Sequence, residues 1–191
     1  MTLHLELLRH GETELGGGLR GSLDDALTVG GWAQLRAAVI GGGPWDRLIS
    51  SPLQRCARFA EELAAQQSLP LSLEPGLQEL HFGAWEGRST AELMQTAAED
   101  LGRFWADPYA FTPPQGEPLP AFEARVLGAL QRLHKRHAGE RLLLITHGGV
   151  MRLLLARARD LPRSGLLQVN VGYAERFRLS LDGTGALKEL V

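Results

Sequence analysis

Leu3-His4-Leu5-Glu6-Leu7-Leu8-Arg9-His10-Gly11 stands at the start of the chain, and Leu142-Leu143-Leu144-Ile145-Thr146-His147-Gly148 stands late in it. Each is a short apolar run stopped by His-Gly. That is the pattern of a buried parallel strand opening into a functional loop. In open parallel sheets, ligands bind beyond the carboxyl ends of the strands. As sheet neighbours, the two runs bring two imidazoles into one crevice with Arg9 beside them. Such a set suits an anion, most of all a phosphate.

Outward from these runs, strands alternate with helices. Residues 3–9 read as the first strand and residues 11–26 as a loop rich in glycine. Thr28 is suited to cap a short helix beginning near Gly31, with Trp32, Leu35 and Val39 as its apolar stripe. Gly41-Gly42-Gly43-Pro44 ends it. Residues 47–50 form the second strand. Ser51 then caps a helix with Pro52 at its first position, and Leu53, Cys56, Ala57, Ala60, Leu63 and Ala64 are its buried stripe. Residues 69–73 make a third strand, turned by Pro75-Gly76. Residues 77–87 are irregular. A helix capped by Ser89 is expected to run to about Trp105, and the prolines of residues 107–117 demand a loop. Leu119, Phe122, Val126, Leu130 and Leu133 mark a long amphipathic helix. Residues 142–145 are a strand and 150–159 a helix; 175–181 and 187–191 form a terminal hairpin about Asp182-Gly183. The expected fold is therefore an α/β three-layer sandwich, a mostly parallel central sheet flanked by helices. No repeat, linker or composition break interrupts it, so residues 1–191 read as a single domain.

Composition narrows the function. The 191 residues are 44% hydrophobic and 22% charged, ordinary for a globular protein with a real core. A net charge of -2 supplies no global field for nucleic acid or an anionic membrane. Cys56 is the one cysteine, which excludes an intrachain disulfide and a cysteine-based metal cluster. No leader pattern and no apolar run of membrane-spanning length is seen, so the expected location is cytoplasmic. Gly16-Gly17-Gly18 lacks the spacing of a dinucleotide fingerprint, and no cofactor is implied.

The motifs carry the chemistry. Leu7-Leu8-Arg9-His10-Gly11-Glu12-Thr13, Ser50-Ser51-Pro52-Leu53-Gln54-Arg55, Glu79 to Gly87 with Gly83 and Glu86 between, and Thr146-His147-Gly148-Gly149 follow one another in that order. Together they resemble the signature of the histidine phosphatase superfamily, the phosphoglycerate mutase-like family. The resemblance implies a phosphomonoesterase acting through phosphohistidine. His10 is then the nucleophile, since a neutral imidazole can attack phosphorus and split one hard displacement into two easier ones. Neighbouring positive charge disfavours imidazolium. Arg9 and Arg55 supply that charge and grip phosphate oxygens in two-pronged fashion. His147 and Gly148 join the phosphate site, His147 as a donor to the transition state. Glu79 falls at the proton-donor position, where a dianionic phosphate favours its protonated form. Two departures stand out: Gly16 lies where many members have a phosphate-binding Asn, and Phe59 lies where they have Thr.

Residues 87–117 offer only Arg88 and Arg103 as extra cations, too few for a mutase holding a second phosphate, so a monophosphatase is favoured. Six of the twelve aromatic residues lie at 82–111. Trp105 and Tyr109, with Glu117 nearby, are candidates for a pocket wall on which a flat base stacks. Phe104-Trp105-Ala106-Asp107-Pro108 and Pro113-Pro114-Gln115-Gly116-Glu117 resemble the α-ribazole-5'-phosphate phosphatases of cobalamin biosynthesis. The alternative is a broad-specificity phosphatase or mutase-like enzyme acting on sugar or glycerate phosphates. A metal-dependent hydrolase using His10, Glu79 and His147 is disfavoured because the arginines repel a cation. A phosphate-sensing module is disfavoured by the retained nucleophile and acid. The expected partner is thus a small phosphate monoester.

Overall fold

The computed structural model describes residues 1–190; Val191, the end of the expected last strand, lies outside the described residues. Six strands form one sheet in the order β3-β2-β4-β1-β5-β6. They are β1 (Leu3–Arg9), β2 (Arg47–Ser50), β3 (Leu71–Leu73), β4 (Arg141–Thr146), β5 (Arg176–Leu181) and β6 (Leu187–Leu190). The first four are parallel, β5 runs antiparallel to β1, and β6 closes the hairpin. In the centre, Leu8 of β1 pairs with Ile145 of β4 and Arg9 pairs with Thr146. His10 N continues the ladder by donating to Thr146 O at 3.0 Å.

Alternation along the strands feeds two cores. Leu3, Leu5 and Leu7 with Leu142 and Leu144 pack beneath α3 (Thr90–Thr96), α4 (Ala98–Ala106), α5 (Leu119–His137) and α6 (Gly148–Ala158). Leu8, Leu48, Leu143 and Ile145 face α1 (Val29–Ala38) and α2 (Gln54–Gln67). These are the two outer layers expected of a sandwich. Glu6 intrudes on the second face, where its carboxylate accepts from Trp45 Nε1 and Arg176 Nη1, each at 2.8 Å. A buried carboxylate needs such partners. Among the described residues no helix is long and apolar enough to cross a membrane.

Thr28 caps α1 as expected, accepting from Gly31 N at 2.9 Å. Two expectations fail for local reasons. Ser51 is not the cap of α2, which begins at Gln54. Ser51 N still belongs to the sheet, donating to Ile145 O at 2.9 Å, and its hydroxyl meets His147. The vacant role is taken by Asp24 from the glycine-rich loop, whose Oδ1 accepts from Gln54 N at 2.6 Å. The helix expected at 89–105 is broken in two at Ala97, which leaves helical geometry at φ −151° and ψ 39°. Just before the break, Thr96 Oγ1 donates back to Glu92 O at 2.8 Å, a bond of the kind that bends helices. Glu99 and Asp100 then supply acidic residues to the first turn of α4.

Helix α1 approaches the loop after β1 so closely that only glycine fits at the crossing. A Cβ on Gly11 would lie 2.3 Å from Gly31 O, and one on Gly31 would lie 2.1 Å from Glu12 O. Gly31→Ala is expected to destabilise by about 1–3 kcal/mol through this overlap. Urea unfolding should record a lower midpoint at unchanged slope; an unaltered midpoint would show that the crossing has slack.

Candidate active site

The loops after β1, β4 and β2, with Glu79 and the 3-10 turn Gly83–Trp85, converge at the carboxyl ends of the parallel strands. His10 and His147 stand with ring centroids 5.3 Å apart, inclined by 60°. Both are buried, His147 completely.

Their tautomers follow from their partners. His10 Nδ1 lies 2.8 Å from Gly11 O. A carbonyl only accepts, so Nδ1 carries the proton and Nε2 keeps its lone pair. His147 Nδ1 lies 3.2 Å from Arg55 Nε. A guanidinium only donates, so this Nδ1 accepts, and the protonated Nε2 donates to Ser51 Oγ at 2.7 Å. Burial first, and then the charges of Arg55, Arg9 and Arg20, bring the pKa of His10 down to about 3 against the opposing bond to Gly11. Sequence reasoning assigned this effect to the arginines; desolvation is the larger cause. Burial likewise holds His147 well below the ordinary histidine value, again helped by Arg55.

Arg55 is fully buried behind this pair. Its Nη1 donates to Leu23 O at 2.5 Å and stands 3.4 Å from Asp25 Oδ1, and its Nη2 donates to Gly21 O at 2.9 Å. All three of its nitrogens are therefore engaged by protein atoms. Cys56, one residue on, places Sγ 3.7 Å from His147 Nε2, and burial pushes its thiol pKa up. Phe59 packs edge-on to Trp32 at 6.1 Å, a filling of the core.

Arg9 donates through Nη1 to Val171 O at 2.7 Å, and its guanidinium lies over the Tyr173 ring at 4.4 Å. Its Nε is buried without a hydrogen-bond partner. The two glycines after His147 make room for neighbours. A Cβ on Gly148 would lie 3.3 Å from Arg9 Nε, and one on Gly149 would lie 2.2 Å from Glu79 Oε1. Gly149 N instead donates to Glu79 Oε2 at 2.9 Å, and Leu80 N donates to Oε1 at 2.9 Å. Glu79 is thus aimed by two backbone amides.

A cavity of about 500 Å³ opens over these groups. Arg9, His10, Glu79 and Gly149 line it together with Arg20, Arg152 and Tyr173. Phe82, Phe104, Trp105, Pro108, Leu166 and Leu167 form its apolar side. Arg55, His147 and Gly148 are not on its wall: the first two are fully buried, and Gly148 begins α6. Trp105 is on the wall, half exposed, whereas Tyr109 and Glu117 are not. Tyr109 sits under Arg163 at 4.6 Å, and Glu117 is bound by Arg125, with Nε to Oε1 at 2.7 Å. Arg125 also donates to the carbonyls of Gln78 and Glu79, which fixes the Glu117 end of the proline-rich loop.

Sequence reasoning missed Arg20, Arg152 and Tyr173. Arg152 had a legible signal, since it lies four residues after Gly148 on the same face of α6. The two cations of residues 87–117 are engaged elsewhere: Arg103 is held by Asp100 and Phe111, and Arg88 by Thr96. Among the described residues no three His, Cys, Asp or Glu side chains converge as a metal set.

The buried neutral histidines have a consequence for acid stability. The unfolded chain takes up a proton on His10 near its ordinary value of 6.5, while the folded chain does so only near 3. Between those values the unfolded state binds more protons, so stability rises with pH and is lost on acidification. The expected slope is about 1 kcal/mol per pH unit for each such histidine. Denaturant unfolding at pH 7, 6 and 5 should record it, and His10→Gln should flatten it; a slope equal in the two proteins would refute the assignment.

With the geometry in hand, comparison with known proteins is direct. Residues 5–191 match the Histidine phosphatase superfamily (branch 1). The adenosylcobalamin/alpha-ribazole phosphatase of Salmonella typhimurium is 32% identical over 173 residues, covering 88% of this chain and 86% of that one. The crystal structure of the alpha-ribazole phosphatase from Shigella flexneri superposes with a TM-score of 0.85 at 28% identity, covering 98% and 95% of the two chains. The mycobacterial glucosyl-3-phosphoglycerate phosphatase has a TM-score of 0.85 at 25% identity, covering 100% and 97%. The chain belongs to the histidine phosphatase superfamily and is a phosphoric monoester hydrolase.

Proposed function

We propose that His10 Nε2 attacks the phosphorus of a small monoester while the P–O bond to the leaving alkoxide breaks. The phosphoryl group moves to the imidazole, and Glu79 gives its proton to the departing oxygen. Water then attacks phosphohistidine, Glu79 takes a proton from that water, and inorganic phosphate leaves. The observation that carries this reading is the fixed tautomer of His10. Its Nδ1–H is held by Gly11 O, its Nε2 lone pair is free, and Arg9 and Glu79 share its cavity. Burial keeps the ring neutral at working pH. Arg55 and His147 act from behind, and Gly148 contributes the start of α6, whose amide end favours an anion.

For the substrate we propose α-ribazole 5'-phosphate, with this chain serving cobalamin biosynthesis; the Salmonella relative is named an adenosylcobalamin/alpha-ribazole phosphatase and the Shigella one an alpha-ribazole phosphatase. The cavity supports it: a charged floor is continued by an apolar wall on which Trp105 presents a half-exposed indole to a flat base. A second reading, a glycerate or sugar phosphate, draws on Arg152. Only its Nε is tied, to Val169 O at 3.0 Å, and the side chain lines the cavity. The mycobacterial relative, whose name includes a phosphoglycerate, favours the same alternative.

His10→Ala should lower turnover of every monoester by roughly 10⁴-fold or more. Trp105→Ala should raise KM for α-ribazole 5'-phosphate by about tenfold and leave para-nitrophenyl phosphate within about twofold. Equal or better wild-type kcat/KM on 3-phosphoglycerate would replace the α-ribazole assignment by the second reading. Glu79→Gln should slow α-ribazole 5'-phosphate by about 10²-fold or more in its first step. Para-nitrophenolate departs unprotonated, so single-turnover phosphoryl transfer from that ester should fall far less; equal losses would remove Glu79 from the acid role.

A further inference from the structure

The reaction just described leaves Arg20 without a task. Its side chain is only 7% exposed, yet it lines the cavity beside Arg9 and His10. Arg20 Nε stands 2.9 Å from Asp25 Oδ2, but the two are not aligned as a hydrogen bond. Arg20 Nε, Arg20 Nη2 and Asp25 Oδ2 are all buried without a hydrogen-bond partner. Asp25 also faces Arg55, with Nη1 3.4 Å from Oδ1. One carboxylate therefore answers two guanidiniums, and the cluster keeps an excess positive charge. Unpaired buried donors of this kind are costly to maintain.

The backbone on both sides of Arg20 is pinned. Before it, Leu19 N donates to Arg88 O at 2.9 Å and Gly87 N donates to Leu19 O at 2.8 Å. After it, Arg55 holds the carbonyls of Gly21 and Leu23, while Ser22 N and Leu23 N donate to the Glu86 carboxylate at 2.8 and 3.0 Å. Gly21 itself is wedged in place: a Cβ there would lie 2.2 Å from Leu80 O. The guanidinium is therefore delivered to the cavity at a position set in advance, the condition under which a donor stabilises developing charge at no reorganisation cost.

We infer that Arg20 partners Arg9 as a direct ligand of the phosphoryl group, the two guanidiniums that line the cavity each donating to a different non-bridging oxygen. Asp25 is the post that holds Arg20 and Arg55 at their spacing. The inference rests on the phosphatase reading of this same site and adds a substrate-contacting residue to it. It also assigns a donor to the loop in which Gly16 leaves none.

Arg20→Met should lower kcat/KM for para-nitrophenyl phosphate by about 10²-fold and raise the inhibition constants of inorganic phosphate and orthovanadate by about tenfold. Arg20→Lys should recover part of both, as a point charge without the fork. If Arg20 only neutralised Asp25, Asp25→Asn added to Arg20→Met would restore activity; the inference expects the double variant to stay slow. Restoration there, or single-variant constants within about twofold of wild type, would overturn it. A measurement on the wild-type protein covers the case in which variants do not fold. Saturating ¹⁵N-arginine-labelled enzyme with orthovanadate should shift the Arg20 side-chain N–H resonances, and unmoved resonances would also overturn the proposal. The phosphatase reading fails separately, through undiminished turnover by His10→Ala.

Discussion

Parallel pairing of β1 with β4, in the register that sets Arg9 opposite Thr146, is the constraint from which the site follows. Each strand is followed at once by histidine, so the register alone puts two imidazoles side by side. A slip of one residue would exchange the faces of β1, sending Leu5 and Leu7 away from their core and parting the rings. The pairing is held by apolar burial on both sheet faces, which makes the relative position of His10 and His147 as firm as the core itself. The hydrophobic residues of the two strands are in this sense part of the architecture of the candidate site.

Around that pair the molecule arranges charge in depth. His10 stands at the cavity, His147 packs edge-on against it, and buried Arg55 donates to His147 and to two carbonyls of the glycine-rich loop. A guanidinium that touches four partners spends its hydrogen bonds on holding the loop and the second imidazole, and its charge acts through the short distance to His10. Glu86 mirrors it from the other side, accepting from Ser22, Leu23 and Phe82. Loop 16–25 is thus clamped between a buried cation and a partly buried anion, each drawn from a segment distant in sequence.

What could be read in advance follows from range. Strands and helices were legible because apolar periodicity and caps are local, and the first histidine motif announced itself by ending such a strand. Ser51 was misread because its hydroxyl is claimed by a residue 96 positions away. The break at Ala97 was missed because nothing in the helical pattern marks it. Within the site, the motifs pointed to His10, Arg9 and Glu79, which do meet at one cavity. They said nothing of depth, so Arg55 and His147 were expected at the surface of the pocket rather than behind it. Arg20 and Tyr173 gave no local signal, since only the folding of their loops brings them to the cavity. Tyr109 and Glu117 lay near Trp105 in sequence, but Tyr109 lies under Arg163 and Glu117 is bound by Arg125, so only Trp105 of the three reaches the wall.

The bond from His10 Nδ1 to the carbonyl of Gly11 settles a point of regiochemistry. With that nitrogen committed, the phosphoryl transfer we propose bonds to Nε2 alone, and its covalent species is the τ isomer. Its P–N bond keeps the neighbouring N–H in place, so the ring becomes a cationic leaving group without moving, and one orientation serves both halves of a turnover. The small motif His-Gly therefore encodes more than a strand end: the peptide oxygen following the histidine selects which ring nitrogen is left free.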